Sequence, residues 1–324
     1  MPPQNNSSPL AGQADYESVD VSEFTAEALS EHFESSPKKG RGRAKKSLEL
    51  IDAMFDIAEA AQPITGRGVG YKLFTKGLIP SMSRQDMNAV YRLLKESREE
   101  GIIPWEWIVD ETRELEKAAA WDNPDSFVRT LGASYRREFW NRQPVRVEVW
   151  SEKGTVRGVL APTLDKYGVG FRVLHGFSSA TTVMDVCQDN DRRPLIMLYV
   201  GDYDPSGMCM SEVDLPKRLE KYEGDHVAIK RIAITSDDFA AGLPSFPASD
   251  KSKDTRYKWF VRNFGDRCWE LDAMDPNDLR AKVEEAIKER IEWQQWERDT
   301  LINEAEQKSL RTVLKSWGKT PTWW

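Results

Sequence analysis

Cysteine and histidine are scarce: only three of each occur among the 324 residues. Cys187, Cys209 and Cys268 are far apart and odd in number, so by themselves they make neither a disulfide framework nor a zinc site. The histidines are equally scattered, which removes His-rich metal chemistry. No apolar run approaches the ~18 residues of a bilayer span, and the opening segment lacks the basic-then-apolar layout of a secretory signal. A cytoplasmic protein with reduced thiols and no membrane partner is therefore expected. No internal repeat is evident. Gly66-Arg-Gly-Val-Gly70 lacks the last glycine of a dinucleotide fingerprint and follows a helix instead of a strand, so it is not a cofactor loop. Ser178 and Ser179 have no nearby His/Asp arrangement for a serine hydrolase, and His175, alone after a strand, reads as structural.

Basic residues are absent from one segment. Residues 1–36 hold seven acids and no Lys or Arg, whereas the whole chain has 46 basic and 53 acidic side chains, a net charge of −7. The remainder thus balances 46 against 46 (53 less seven), and the total charge does not argue against a polyanionic partner. Residues 1–46, rich in Ser, Pro, Asn, Gln and Glu, read as a disordered arm. It ends in a run containing Lys38, Lys39, Arg41, Arg43, Lys45 and Lys46, suited either to nucleic-acid phosphates or to a solubilising linker.

The chain as a whole is 40% hydrophobic and 10% aromatic, enough for real cores, and its length suggests two folded units plus extensions. Leu48, Ile51, Met54, Phe55, Ile57 and Ala58 recur at helical spacing up to Pro63. A second helix is expected over 68–76. A third is capped by Ser81 or Ser83, with Met87, Val90, Tyr91 and Leu94 on its apolar face. Gly101–Val109 reads as a short β segment. Three helices and a β element are the layout of a winged helix, so residues 47–113 are expected to be a DNA-binding domain of that type. Arg67, Lys72, Lys76, Arg84, Arg92, Lys95 and Arg98 against Asp86 and Glu96 give the local cationic surplus that phosphate binding needs. The alternative is a helical interaction domain with an ordinary solvated face. Residues 114–143 read as a helical connector broken at Asn123-Pro124.

From residue 144 to 292 the rhythm becomes α/β. Strands are expected at Val145–Trp150, Gly170–Leu174, Leu195–Val200 and His226–Ile234, and helices near Thr155–Lys166, Ser179–Cys187, Met208–Lys221 and Asp278–Trp293. This alternation predicts a mostly parallel sheet with helices on both faces. A helical extension covers 293–324, where Trp293, Trp296, Trp317, Trp323 and Trp324 suit a core edge or a partner surface. The apolar run Leu195–Val200 ends in Gly201-Asp202-Tyr203-Asp204-Pro205-Ser206-Gly207. In extended backbone i and i+2 share a side, so Asp202 and Asp204 converge at the strand end, where open α/β sheets bind ligands. Glu152 follows another strand end and would join them if the two strands are parallel neighbours. Carboxylates gathered there call for a hard cation, and Mg²⁺ prefers such ligands.

Glu152-Lys153-Gly154 followed by the Gly-Asp-x-Asp-Pro-x-Gly loop resembles the Toprim domain, in the version carried by the A subunit of type IIB topoisomerases (topoisomerase VI) and the related meiotic double-strand-break enzyme. Glu270-Leu-Asp272-Ala-Met274 is similar to a later Glu-x-x-Ala-Leu element of that family, and a winged helix precedes its Toprim domain. The resemblance covers roughly residues 48–292. It implies a Toprim-type sheet, and Mg²⁺ held by Asp202 and Asp204, with Glu152 a ligand or general acid/base. Lys153 is either a phosphate contact or a solvated lysine at a helix start. It further implies DNA as substrate, a homodimer, a separate ATPase subunit, and a nucleophilic tyrosine on the winged helix. Tyr71 occupies the matching helix. There Arg67 stands four residues ahead, and Gly70 replaces the aromatic that usually precedes the nucleophile. Helix packing is the other reading of Tyr71. Water-driven hydrolysis at the same acids and non-catalytic DNA binding are the functional alternatives.

Overall fold

The computed structural model describes residues 45–109, 119–174 and 180–317. Lys38, Lys39, Arg41, Arg43, His175, Ser178, Ser179, Trp323 and Trp324 lie outside them. Helix α1 (Lys45–Ala61) turns Ile51, Met54, Ile57, Ala58 and Ala61 inward, the helical period that the sequence carries. After Pro63 come a two-residue strand, β1 (Ile64–Thr65), and α2 (Gly66–Thr75), whose N-terminus is capped by the Thr65 hydroxyl accepting from Gly68 N at 2.9 Å. Ser83 caps α3 (Arg84–Glu99), which buries Met87, Val90, Leu93 and Leu94 against α1 and α2 in one core. Tyr91, expected in that core, is 40% exposed. It stands one residue beyond Val90, about 100° around the helix, so the apolar stripe passes it by. The expected β segment over Gly101–Val109 is a strand only at β2 (Ile108–Val109), which pairs in parallel with β1. Gly101 at φ 73° and Pro104, which lacks an N–H, keep the preceding residues out of a ladder, and Trp105–Trp107 form a 3₁₀ turn.

Asn123-Pro124 begins a helix instead of breaking one. Asn123 forms a capping box with Ser126, and Pro124 takes the first position of α4 (Pro124–Ser134), where its missing N–H costs nothing. The sheet follows: β3 (Arg146–Ser151), α5 (Thr155–Tyr167), β4 (Gly170–Val173), α6 (Ala180–Cys187) and β5 (Leu195–Val200). The single helix expected over Met208–Lys221 is three pieces: α7 (Pro205–Cys209), a π turn (Met210–Asp214) and α8 (Leu215–Lys221). Strand β6 (Val227–Ala233) completes a four-stranded parallel sheet of order β4-β3-β5-β6, with Trp150 opposite Tyr199. Short helix α9 (Ser236–Ala240), an antiparallel pair β7 (Phe246–Pro247) and β8 (Arg267–Cys268), and α10 (Tyr257–Phe264) between them form a small lobe that the sequence did not announce. Then come α11 (Pro276–Lys288) and α12 (Trp293–Trp317), separate helices where one was expected to run through Trp293.

Both faces of the sheet are covered. Val147, Val149, Leu198 and Val200 pack on Leu160 and Leu164 of α5 and on Leu279, Val283 and Ile287 of α11. Trp150, Met197 and Tyr199 pack on Val183 and Val186 of α6 and on Leu215 and Leu219 of α8. That is why the run Leu195–Val200 is apolar throughout instead of alternating. Helix α12 lies on α4, with Arg137 between them paired to buried Asp299 at 2.9 Å. All three cysteines are free, Cys187 and Cys268 buried. No helix among the described residues is long and apolar enough to cross a membrane.

Candidate acidic site at the carboxyl edge of the sheet

The register of β3 on β5 ends both strands at one edge, which sets Glu152 beside the Asp202–Gly207 loop. A β-carbon on Gly207 would stand 3.3 Å from Glu152 Oε1 and 2.3 Å from the Asp202 carbonyl oxygen, so only glycine lets the loop fold this tightly. Asp202 and Asp204 are both buried, Asp204 to 4% exposure. Asp204 caps α7, its Oδ1 accepting from Gly207 N at 2.8 Å. Asp202 Oδ1 accepts from Leu271 N at 2.7 Å and from Lys153 Nζ at 2.9 Å. The intervening Tyr203 points into an aromatic cage of Phe239, Phe260, Phe264 and Trp269, with ring centroids 4.8–6.0 Å away. Its backbone exchanges two hydrogen bonds with Trp269, at 2.8 and 3.0 Å. Beneath the loop, Arg231 donates to the carbonyls of Gly201, Asp202 and Gly207. The loop is thus fixed from three sides.

The charges are unevenly compensated. Lys153 Nζ bridges Asp202 and Asp272, at 2.9 and 3.0 Å, and Lys251 Nζ lies 3.2 Å from Asp204 Oδ2. Glu152 makes no hydrogen bond or ion pair among the described residues; burial and the charges of Asp202 and Asp204 push its pKa up to about 7. Burial also raises Asp202, against the pull of Lys153 and the Leu271 N–H. Burial alone would lower the Lys153 ammonium, but Asp202 and Asp272 outweigh it and hold it protonated. Lys153 is therefore a built-in countercharge, not a solvated lysine.

Among the described residues no group of three or more His, Cys, Asp or Glu side chains is drawn close enough to hold an ion as it stands. One oxygen of Asp202 and both of Asp204 are committed to N–H donors and lysines. The donor set itself suits a hard divalent cation, being all carboxylate oxygen at one rim.

Arg67 and Lys72, expected to face phosphates, turn toward the segment after β8. Arg67 forms a two-pronged pair with Glu270, one arm at 2.8 Å, and Lys72 pairs with Asp275. Arg84 is exposed on α3. Tyr71 is only 6% exposed, with Arg67 5.7 Å over its ring. Burial and Glu270 push its hydroxyl pKa up, and Arg67 opposes them without prevailing. Gly70 packs α2 on α3: a β-carbon there would stand 2.5 Å from the Met87 sulfur, so a larger side chain requires the end of Met87 to move. Sequence reasoning missed Lys251, Asp272 and Arg231. Asp272 lay inside a motif already singled out, whereas Lys251 sits in a charged loop with no distinguishing pattern.

No family model matches the chain, and no curated protein matches it.

Proposed function

We propose that the protein is a Mg²⁺-dependent DNA-binding and DNA-cleaving protein of the topoisomerase VI A-like type, with a Toprim-type sheet and an N-terminal winged helix. The observation that carries this reading is the convergence of Glu152, Asp202 and Asp204, distant in sequence, at one rim of a parallel sheet. Glu152, Asp202 and Asp204 would hold the cation, which when bound compensates charge and polarises the scissile phosphate. If Asp202 and Asp204 alone hold the cation, Glu152, whose pKa without a cation is about 7, would instead be the general acid for the leaving ribose oxygen. Lys153, kept charged, steadies Asp202 and adds positive potential where the phosphate enters. The helical module supplies exposed Arg84 and Lys76 for the duplex, and homodimerisation and a separate ATPase subunit follow from the same resemblance.

In this reading Tyr71 attacks phosphorus and leaves a protein-linked DNA end. One observation favours a second reading, hydrolysis by water at the same acids: the Tyr71 hydroxyl is buried and its pKa is raised, the reverse of an activated nucleophile. Supercoiled plasmid with Mg²⁺ should become nicked or linear, and Asp202→Asn should abolish this. A covalent adduct lost in Tyr71→Phe supports transesterification; undiminished cleavage by Tyr71→Phe supports water. Plasmid left intact across divalent ions and DNA forms would count against both.

A further inference from the structure

Between the helical module and the small lobe lies a cleft of about 490 Å³, lined among others by Arg67, Tyr71, Phe74, Phe246, Lys251 and Glu270. Among the described residues, Lys251 belongs both to this cleft and to the acidic rim. Its ammonium sits 3.2 Å from Asp204 Oδ2 and 5.9 Å from the centre of the Phe246 ring, and its side chain is 39% exposed while that of Asp204 is 5% exposed. Asp204 Oδ1 is already used by Gly207 N, so Oδ2 is the oxygen left for a cation, and Lys251 covers it.

We propose that Lys251 gates the acidic site: in the free chain it neutralises Asp204, and a substrate phosphodiester entering the adjoining cleft draws it away, so that divalent cation and phosphodiester bind cooperatively. The inference rests on the metal reading above and deepens it by assigning the phosphate-facing side of the site. A divalent cation at Asp204 Oδ2 would repel the Lys251 ammonium 3.2 Å from that oxygen, so cation entry weakens the Lys251–Asp204 pair and the pair weakens cation entry. A phosphate offers the displaced ammonium a replacement partner of equal sign within reach of its flexible stem. By linkage, the factor by which the phosphodiester tightens cation binding equals the factor by which the cation tightens phosphodiester binding.

The test is Mn²⁺ binding to the full chain, followed by electron paramagnetic resonance, with and without a dithymidine dinucleotide carrying one phosphodiester. Lys251→Gln should bind Mn²⁺ about three- to tenfold more tightly than the wild type, the range expected for removing a partly exposed ion pair. Lys251→Arg should keep the weak affinity, which separates loss of charge from damage to the fold. The dinucleotide should tighten Mn²⁺ binding to the wild type and leave Lys251→Gln unchanged. Equal or weaker binding by Lys251→Gln, with binding still lost in Asp202→Asn, overturns the gate and leaves the metal site standing. If neither the wild type nor Lys251→Gln binds more Mn²⁺ than Asp202→Asn does, the metal reading fails, and the gate with it.

Discussion

Glu152 concentrates the electrostatics of the rim in one carboxyl. Its folded pKa of about 7 lies above the ordinary glutamate range, so between that range and neutrality the folded chain holds a proton that the unfolded chain has released. Stability then falls as pH rises through this window, because there the native state binds more protons than the unfolded state. Glu152→Gln should flatten that fall and, without divalent cations, stabilise the protein by about 1–2 kcal/mol near pH 8, with little effect in acid. Denaturant melts of both proteins across pH check this. A steeper fall in the variant would mean that Glu152 is stabilised as an anion after all. Gly207 offers the steric counterpart. Its missing β-carbon lets the chain pass 2.3 Å from the Asp202 carbonyl oxygen, and backbone cannot yield as a side-chain tip can. Gly207→Ala is expected to cost about 1–3 kcal/mol, readable in a thermal-shift series.

At the scale of elements, the segment from Glu270 to Asp275 is the hinge of the design. Within six residues it gives Glu270 to Arg67, Leu271 N to Asp202, Asp272 to both Thr65 and Lys153, and Asp275 to Lys72. A continuous line of hydrogen bonds thus runs from the cap of α2 through Asp272 and Lys153 to Asp202. The next helix, α11, continues the joint. Arg280 donates to the carbonyls of Ala61, Gln62, Pro63 and Val159, tying the end of α1 and the body of α5 to one guanidinium. Arg280→Met keeps the stem and removes those donors, leaving carbonyls short of partners. A loss of about 1–3 kcal/mol and faster hydrogen exchange at the end of α1 are expected. Exchange unchanged over residues 58–65 would show that the apolar contacts alone hold the module.

Across the whole molecule, the described residues from Lys45 onward belong to one compact unit, in which helical module and sheet share the joint just described. Much of this was legible. The helices over 45–61 and 84–99 and all four sheet strands announce themselves by periodicity and burial, because period and apolar run length are local properties of the chain. So does the rim: a parallel neighbour relation between β3 and β5 is the only extra assumption needed to unite Glu152 with Asp202 and Asp204. The boundaries that failed did so for local reasons of another kind, such as Pro124 starting a helix and the π turn dividing Met208–Lys221. The small lobe was invisible because strands of two residues carry no periodicity.

Sequence by itself settled where the four strands of the parallel sheet lie, where two of them stop, and that carboxylates stand at their ends, since each depends on neighbours a few positions away. Only tertiary structure decided what those carboxylates meet: Lys153 reaching across to Asp272, Lys251 folded back over Asp204, and Arg67 and Lys72 engaged by Glu270 and Asp275. The partner of a charge is fixed by distance in space, and a charge carries no mark of that distance along the chain.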